Sequence, residues 1–474
     1  AIDLFFHYHY VPEPRTPLKA VRKLPAGHSL TVQVEPWRVE QRPYWSLLEV
    51  PTVEGDPVEL IRAELEKIGE LIIRSDVPVG VALSGGMDSG AIAAFSAKQC
   101  REQMHAFSVG YSGRPQQDER EKAARLARQM GLKFTDVELR TDRLVESFQD
   151  LVVNMDDPVG DIAAFGFFSV MNLAHEHGIK VMLCGLGGDE LFWGYEWMRR
   201  AVELTEMKRD LLLSKKVPWW ARLDLLKKVV EHPLYGRLSR SNKMPGFGQS
   251  FLEHVAKMKQ LTLGYPNQAV FQELLPDFGA AFLHRERLFE PAFLEQVPAR
   301  NPFSSFEMSL DESVHIPIQL CKSIFDTWQV SNCLVLGDRL SMACSVEGRV
   351  PLLDYRLVEL VFGLRRSRPD HRLGYKVWFK EALKGILPDE LLNRRKQGFQ
   401  PPVGEWIDGV VGRYAHLLDQ GSLVGLGILA KNWRKKLITQ SHGFGHPNFV
   451  LFKLITLEIW YRNVVCHPSQ SNLP

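Results

Sequence analysis

The sequence lacks long apolar runs, a dominant charge of one sign and any density of cysteine, and each absence excludes something. No stretch reaches the roughly eighteen consecutive apolar residues that a spanning helix needs, so no membrane span is expected. With 58 basic and 56 acidic residues the net charge is only +2, which leaves no field to gather nucleic acid, and no nucleic-acid partner is expected. The six cysteines (Cys100, Cys184, Cys321, Cys333, Cys344 and Cys466) show neither metal-ligand spacing nor a disulfide framework. The opening "AIDLFFHYHYVPEPRTP" lacks the basic start and small-residue cleavage site of a signal peptide. Together these point to a reducing, cytoplasmic setting. Internal repeats and low-complexity segments are missing too. What is present is 474 residues at 45% hydrophobic content, enough for two or three packed units with sizeable cores.

Residues 1 to about 55 carry proline, aromatics and short alternating runs such as "HSLTVQVEP", and read as strands and connectors. A boundary follows. Asp56 is a good N-cap, Pro57 suits the first helical position, and Glu59 completes a capping box. Val58, Ile61, Leu65, Ile68 and Ile72 then repeat at helical spacing. After that, strand and helix patterns alternate. "VPVGVALS", "MHAFSVG", "KFTDVELR" and "IKVMLCG" read as strands. "DEREKAARLARQMG", closed by Gly131, and "IAAFGFFSVMNLAHEHG", ending at Gly178, read as helices. Such alternation predicts an α/β fold, a parallel sheet flanked by helices. From about residue 196 the pattern is mainly helical. A predominantly basic stretch from Glu206 to Lys243 reads as a solvated amphipathic helix pair, with a docking face as the minor alternative.

The strand 'VPVGVALS' runs into "VALSGGMDSG", residues 81–90. Strand, glycine turn and helix together place Ser84 to Ser89 at the carboxyl end of a parallel strand, where open sheets bind ligands. Helix N-terminal N–H groups bind anions, and Ser84 and Ser89 add hydroxyl donors. The loop lacks the "GK[ST]" ending of a loop that steadies a transferring γ-phosphate. Its Asp88 would repel phosphate unless a cation lay between them. Mg²⁺ binds phosphate oxygens together with one or two carboxylates. The loop therefore reads as a holder of pyrophosphate and Mg²⁺, for attack on ATP at its α-phosphate.

A second glycine segment, "CGLGGDELFWGY" (184–195), follows another predicted strand. With "LSGGMDS" it resembles the synthetase domain of the asparagine synthetase (glutamine-hydrolysing) family, of the N-type ATP pyrophosphatase or PP-loop fold. "GDRLSMACSVEGRVPLLDYRLVEL" (337–360) and "LPDELLNRRKQGFQPPVGEWI" (387–407) are similar to its helical-lobe and C-terminal signatures. "HYVPEPRTPLKAVRKLPAGH" looks like the junction where the family's glutaminase domain ends. The expected organisation is a glutaminase-end remnant and linker over 1–55. An asparagine synthetase-like domain then covers 56–474, with its α/β ATP-binding part over 56–195 and a helical lobe over 196–474.

The resemblance implies ATP-dependent amide formation through an acyl-adenylate, releasing pyrophosphate and AMP. It implies that Ser84, Gly85, Gly86, Asp88 and Ser89 hold pyrophosphate, and that Asp88 and Asp118 hold Mg²⁺. It places Ala82, Val109, Cys184 and Gly185 around adenosine, Asp189 and Glu190 beside the acyl-adenylate, and Lys396 on the developing phosphate charge. Glu347, Arg349 and Asp354 are expected to form a buried ion-pair network bracing the helical lobe. Cys184 reads as a small buried residue at a strand end. The implied partners are a small-molecule carboxylate and ammonia, delivered by a glutaminase domain or as free ammonium; a homodimer is an open option.

Two departures qualify this. The chain begins with Ala1, not with the family's N-terminal glutaminase cysteine, and a fragment or cleaved product of a longer chain is expected. Leu186 stands where asparagine synthetases generally carry an acidic residue, which argues against aspartate as substrate. The alternatives are a relative joining a carboxylate to another amine, in macrolactam formation or surface sugar-acid amidation, and an inactive binding homologue.

Overall fold

The computed structural model describes residues 1–100, 104–113, 118–213, 225, 267–271, 285–297, 306–311, 315–394, 401–438 and 447–466. The chain opens with a helix, α1 (Ile2–Tyr8), not with the strands and connectors expected there. Burial explains the difference. Phe5, Phe6 and Tyr8, with Tyr10 just beyond, are inserted into the main core, and the Phe6 ring lies 4.8 Å from that of Phe289. Further on, the antiparallel pair β1 (His28–Gln33) and β2 (Arg38–Pro43) projects into solvent. Of the basic stretch at Glu206–Lys243, residues 214–224 and 226–243 lie outside the described residues.

Asp56 starts α2 (Pro57–Ile72) as expected. Its Oδ1 accepts from the N–H groups of Val58, at 2.8 Å, and Glu59, at 3.0 Å. The periodic residues Ile61, Leu65 and Ile68 form the buried stripe. A parallel five-stranded sheet then builds from β3 (Val79–Ala82), β4 (His105–Tyr111), β5 (Lys133–Leu139) and β6 (Val181–Leu183), closed by β7 (Glu347–Arg349), in the order β5-β4-β3-β6-β7. Central strands are apolar on both faces, as a sheet covered by helices requires; Val81, Ala106, Phe107, Met182 and Leu183 have no measurable exposure.

Between the strands run α3 (Met87–Cys100), α4 (Arg120–Met130), α5 (Thr141–Asn154) and α6 (Ala164–Glu176). Gly131 ends α4 in a left-handed conformation, φ 70°, the use of glycine its position suggested. After β6 come the single turn α7 (Gly188–Leu191) and α8 (Glu196–Leu213).

β7 comes from the stretch read as mainly helical. Three residues are too few to show a strand period, and the strand exists only because β6 has an open edge to receive it. Around it lie α9 (Ile316–Ile324), continuous with a π-helix over Phe325–Leu334, then α10 (Val335–Ala343), α11 (Tyr355–Ser367) and α12 (Val377–Ala382). Among the described residues, no helix is long and apolar enough to cross a membrane.

Candidate active site

β3, β4 and β5 march outward in one direction, and then the chain returns to lay β6 on the other side of β3. The crevice between the carboxyl ends of β3 and β6 is thus a topological switch point, the usual ligand position in an open parallel sheet. Both glycine segments sit there. They are packed so closely that a Cβ on Gly185 would fall 2.9 Å from Ser89 N, and one on Gly188 would fall 2.7 Å from Asp88 Cγ. Glycine at 185 and 188 is a condition for the two loops to touch.

The first loop is tied by its own hydroxyls. Ser89 Oγ accepts from the Ser84 N–H at 3.2 Å and lies 3.0 Å from Ser84 Oγ. Asp88 occupies the first turn of α3. Arg394 reaches across from the C-terminal signature, donating to the Gly85 carbonyl at 3.3 Å while pairing with Glu119 at 3.0 Å. Ala82 and Val109 stand partly exposed near the ends of β3 and β4. Cys184 is buried beyond β6, with its N–H bonded to the Arg349 carbonyl at 2.8 Å. Burial pushes its thiol up to about 12, as for a small packing residue at a strand end.

The second loop presents Asp189 and Glu190. Glu190 is buried, and that burial, helped by the neighbouring Asp189 charge, pushes its carboxyl up to about 7. Tyr195 donates to Glu190 Oε1 at 3.1 Å. Asp189 meets Lys376, a residue not singled out from the sequence. The Lys376 Nζ lies 2.6 Å from both Asp88 oxygens and 2.7 Å from Asp189 Oδ1, so one ammonium joins the acids of both loops. Burial alone would lower its pKa, but the Asp88 and Asp189 carboxylates more than offset this and hold it charged. Lys376 adopts a left-handed backbone at the start of α12, φ 49°, uncommon outside glycine. In "GYKVWFKEAL" only the glycine turn hinted at it.

Asp118, expected to share Mg²⁺ with Asp88, is bonded to the end of β4 and to Arg120. Its carboxylate accepts from the Tyr111 N–H at 2.9 Å and from Arg120 at 2.7 Å. Burial opposes ionisation there, yet Arg120 and two backbone N–H groups hold its carboxyl below the usual range. The carboxylate that shares a cation with Asp88 is Asp189. Lys396 lies outside the described residues.

Glu347, Arg349 and Asp354 do not form one buried network. Glu347 is exposed and pairs with Arg349 at 2.7 Å, whereas Asp354 pairs with Arg356 at 2.6 Å and caps α11. The bracing comes instead from Arg349, which donates to the carbonyls of Ile72, at 2.6 Å, and Arg74, at 2.9 Å.

The sequence profile of the Asparagine synthase family matches residues 60–462. The chain belongs to the asparagine synthase family. It is 27% identical over 436 residues to asparagine synthetase [glutamine-hydrolyzing] 1 of Bacillus subtilis (strain 168), covering 89% of this chain and 62% of that protein. It is 28% identical over 418 residues to a putative asparagine synthetase [glutamine-hydrolyzing] of Mycobacterium tuberculosis (strain ATCC 25618 / H37Rv), covering 85% and 58%. Amidase chyE of Penicillium rubens is 25% identical over 472 residues, covering 90% and 66%. This member of the asparagine synthase family therefore spans about three fifths of the length of its curated relatives. Among solved structures, an NH3-dependent NAD synthetase from Campylobacter jejuni aligns at a TM-score of 0.22 and 19% identity, over 30% of this chain and 61% of its own. At that score the likeness adds nothing to the fold described from the sheet itself.

Proposed function

We propose that this protein activates a carboxylate with ATP and joins it to an amine, in the manner of its asparagine synthetase relatives. The observation that carries this reading is the convergence of Asp88 and Asp189 on Lys376 at the β3–β6 switch point. Two carboxylates and a lysine facing a loop of N–H and hydroxyl donors suit a polyphosphate with its counter-ion. In this reading a substrate carboxylate oxygen attacks the α-phosphorus of ATP, the bond to the β-phosphate breaks, and pyrophosphate leaves. The amine then attacks the acyl carbon, AMP leaves with the carbon–oxygen bond electrons, and the amine nitrogen gives up one proton to solvent.

Ser84, Gly85, Gly86 and Ser89 bind pyrophosphate, and Ala82, Val109, Cys184 and Gly185 line the adenosine. Among the described residues no group of three His, Cys, Asp or Glu side chains makes a metal cage. The oxygens of Asp88 and Asp189 suit a hard cation, and these two residues would hold Mg²⁺. When bound there Mg²⁺ would offset the repulsion between these acids and the phosphates, with Asp88 and Asp189 as its holders in place of Asp88 and Asp118. Lys376 holds both acids in register and adds a fixed positive charge where charge develops on the leaving pyrophosphate. Lys396 keeps the same role on the strength of its motif alone.

The test is ATP–pyrophosphate exchange by residues 1–474 with a panel of carboxylates, followed by amide formation with ammonium. Asp88→Asn is expected to lower exchange at least a hundredfold while circular dichroism stays native. Exchange unaffected by Asp88→Asn would overturn the site, and exchange with no carboxylate would overturn the function.

A further inference from the structure

The π-helix over Phe325–Leu334 carries polar groups that the reading above does not use. Gln329 is 1% exposed, and among the described residues neither end of its carboxamide has a hydrogen-bond partner. The same is true of the Trp328 indole N–H and of Asn332 Oδ1. Unpaired buried amides are rare, because each costs its full desolvation. Four such atoms within five residues call for something to bind them.

The helix face says where they are. Cys321 Sγ donates to the Glu190 carbonyl at 3.4 Å, so that face of α9 lies against the second glycine loop. Residues four apart stay on one side through α9 and the wider π turns, which puts Phe325, Gln329 and Cys333 on the Cys321 stripe. Asn332, three residues on, donates to Asp161 Oδ2 at 2.8 Å. Four residues beyond the partly exposed Cys333, Gly337 meets apolar side chains. Leu186 and Phe167 are partly buried apolar side chains packed on the same core cluster, and a Cβ on Gly337 would fall 3.4 Å from Leu186 Cδ1. Leu186 thus places hydrocarbon, not a charge partner, in the second glycine loop.

We propose that Gln329 is a specificity-determining residue of the acyl pocket, reading an uncharged hydrogen-bonding group, such as an amide, on a carboxylate substrate whose other contacts are apolar. This rests on the ligase reading. An α-ammonium group beside Leu186 would lose its ionic partner there, whereas a neutral amide satisfies both ends of the Gln329 carboxamide at once.

The experiment measures ATP–pyrophosphate exchange with N-acetyl-β-alanine, hexanoate and aspartate by wild type and Gln329→Met, a change close in shape that removes both polar ends. The wild type is expected to prefer N-acetyl-β-alanine to both other acids. In Gln329→Met the ratio of kcat/KM for N-acetyl-β-alanine over hexanoate is expected to fall at least tenfold, with a melting midpoint unchanged or raised. Best use of aspartate by the wild type would overturn the inference and leave the ligase reading standing. An unaltered ratio in a variant that only melts higher would also overturn it, since the amide would then hold nothing but buried water. No exchange with any of the three acids would sink the ligase reading and the inference together.

Discussion

The two glycine loops occupy equivalent places, after neighbouring strands of one sheet, yet they are held by different means. The loop at 84–89 is braced chiefly by its own serines and by the helix it starts, with Arg394 adding one distant bond to the Gly85 carbonyl and Lys376 pairing with Asp88. The loop at 185–195 is braced from far along the chain. Arg365 donates to the Leu191 carbonyl at 2.7 Å and pairs with Asp370, which accepts from the Trp193 indole at 2.7 Å. The Arg365 guanidinium also lies 4.6 Å from the Trp193 ring centroid, and Trp193 takes a left-handed backbone, φ 59°. A loop closed by its own hydroxyls and backbone N–H groups can be built locally. Acids that stay buried need counter-charges and dipoles, and residues far along the chain supply them.

Lys376 is where the comparison breaks most readily, because its ammonium ties the acids of both loops. Lys376→Met is expected to lower pyrophosphate exchange about 10²–10³-fold, as for loss of a charge-stabilising donor. It is also expected to cost roughly 3–5 kcal/mol in urea unfolding, because Asp88 and Asp189 lose their shared cation. Lys376→Arg is not expected to restore exchange, since a planar fork cannot replace a point charge between the two acids.

Arg365→Met separates the two loops. Its side chain is fully buried against Asp370, so its loss is expected to cost roughly 3–5 kcal/mol. Carboxylate KM should rise while ATP affinity, measured by calorimetry, holds. Equal loss of both would mean that the loops are braced together. Gly188→Ala probes their contact, because the new methyl would fall 2.7 Å from Asp88 Cγ and 2.8 Å from Leu352 Cδ1. A stability loss of about 1–3 kcal/mol is expected from the overpacking, together with reduced exchange. The smallest effect is expected from Ser89→Ala. It removes one local brace of the first loop, for about 1 kcal/mol in urea unfolding, with a few-fold rise in the ATP concentration needed for half-maximal exchange. A larger loss there than in Arg365→Met would reverse the comparison.

What could be read in advance follows the same division. Asp56 and the stripe Ile61, Leu65 and Ile68 signalled α2, and Gly131 signalled the end of α4, because capping and periodicity act within a few residues. Helix α1 was missed because "IDLFFHY" is held by aromatic packing against Phe289 and, through Tyr8, Phe306, at ring distances of 4.8 Å and 5.8 Å. Helix α5 lies in a stretch where no pattern was assigned, although its buried Leu144, Phe148, Leu151 and Val152 recur at helical spacing. In the site, Asp88, Asp189 and Glu190 stood out because they follow glycines at strand ends. Asp118 also stood out, but its neighbour Arg120 folds back on it, and a motif cannot show which partner a carboxylate takes.

The sequence by itself determined the parallel α/β layout, the two glycine turns and the family. All of these depend on residue order over short spans, where hydrophobic period, caps and backbone freedom decide the outcome. Only the tertiary structure decided that β7 would complete the sheet, that Lys376 would join the acids of both loops, and that Arg365 would hold the second loop from the helical lobe. Charge pairing and edge pairing act through space, between residues 187 and 288 positions apart in the Asp189–Lys376 and Asp88–Lys376 pairs. No local pattern in the chain records which of its many lysines and arginines will arrive there.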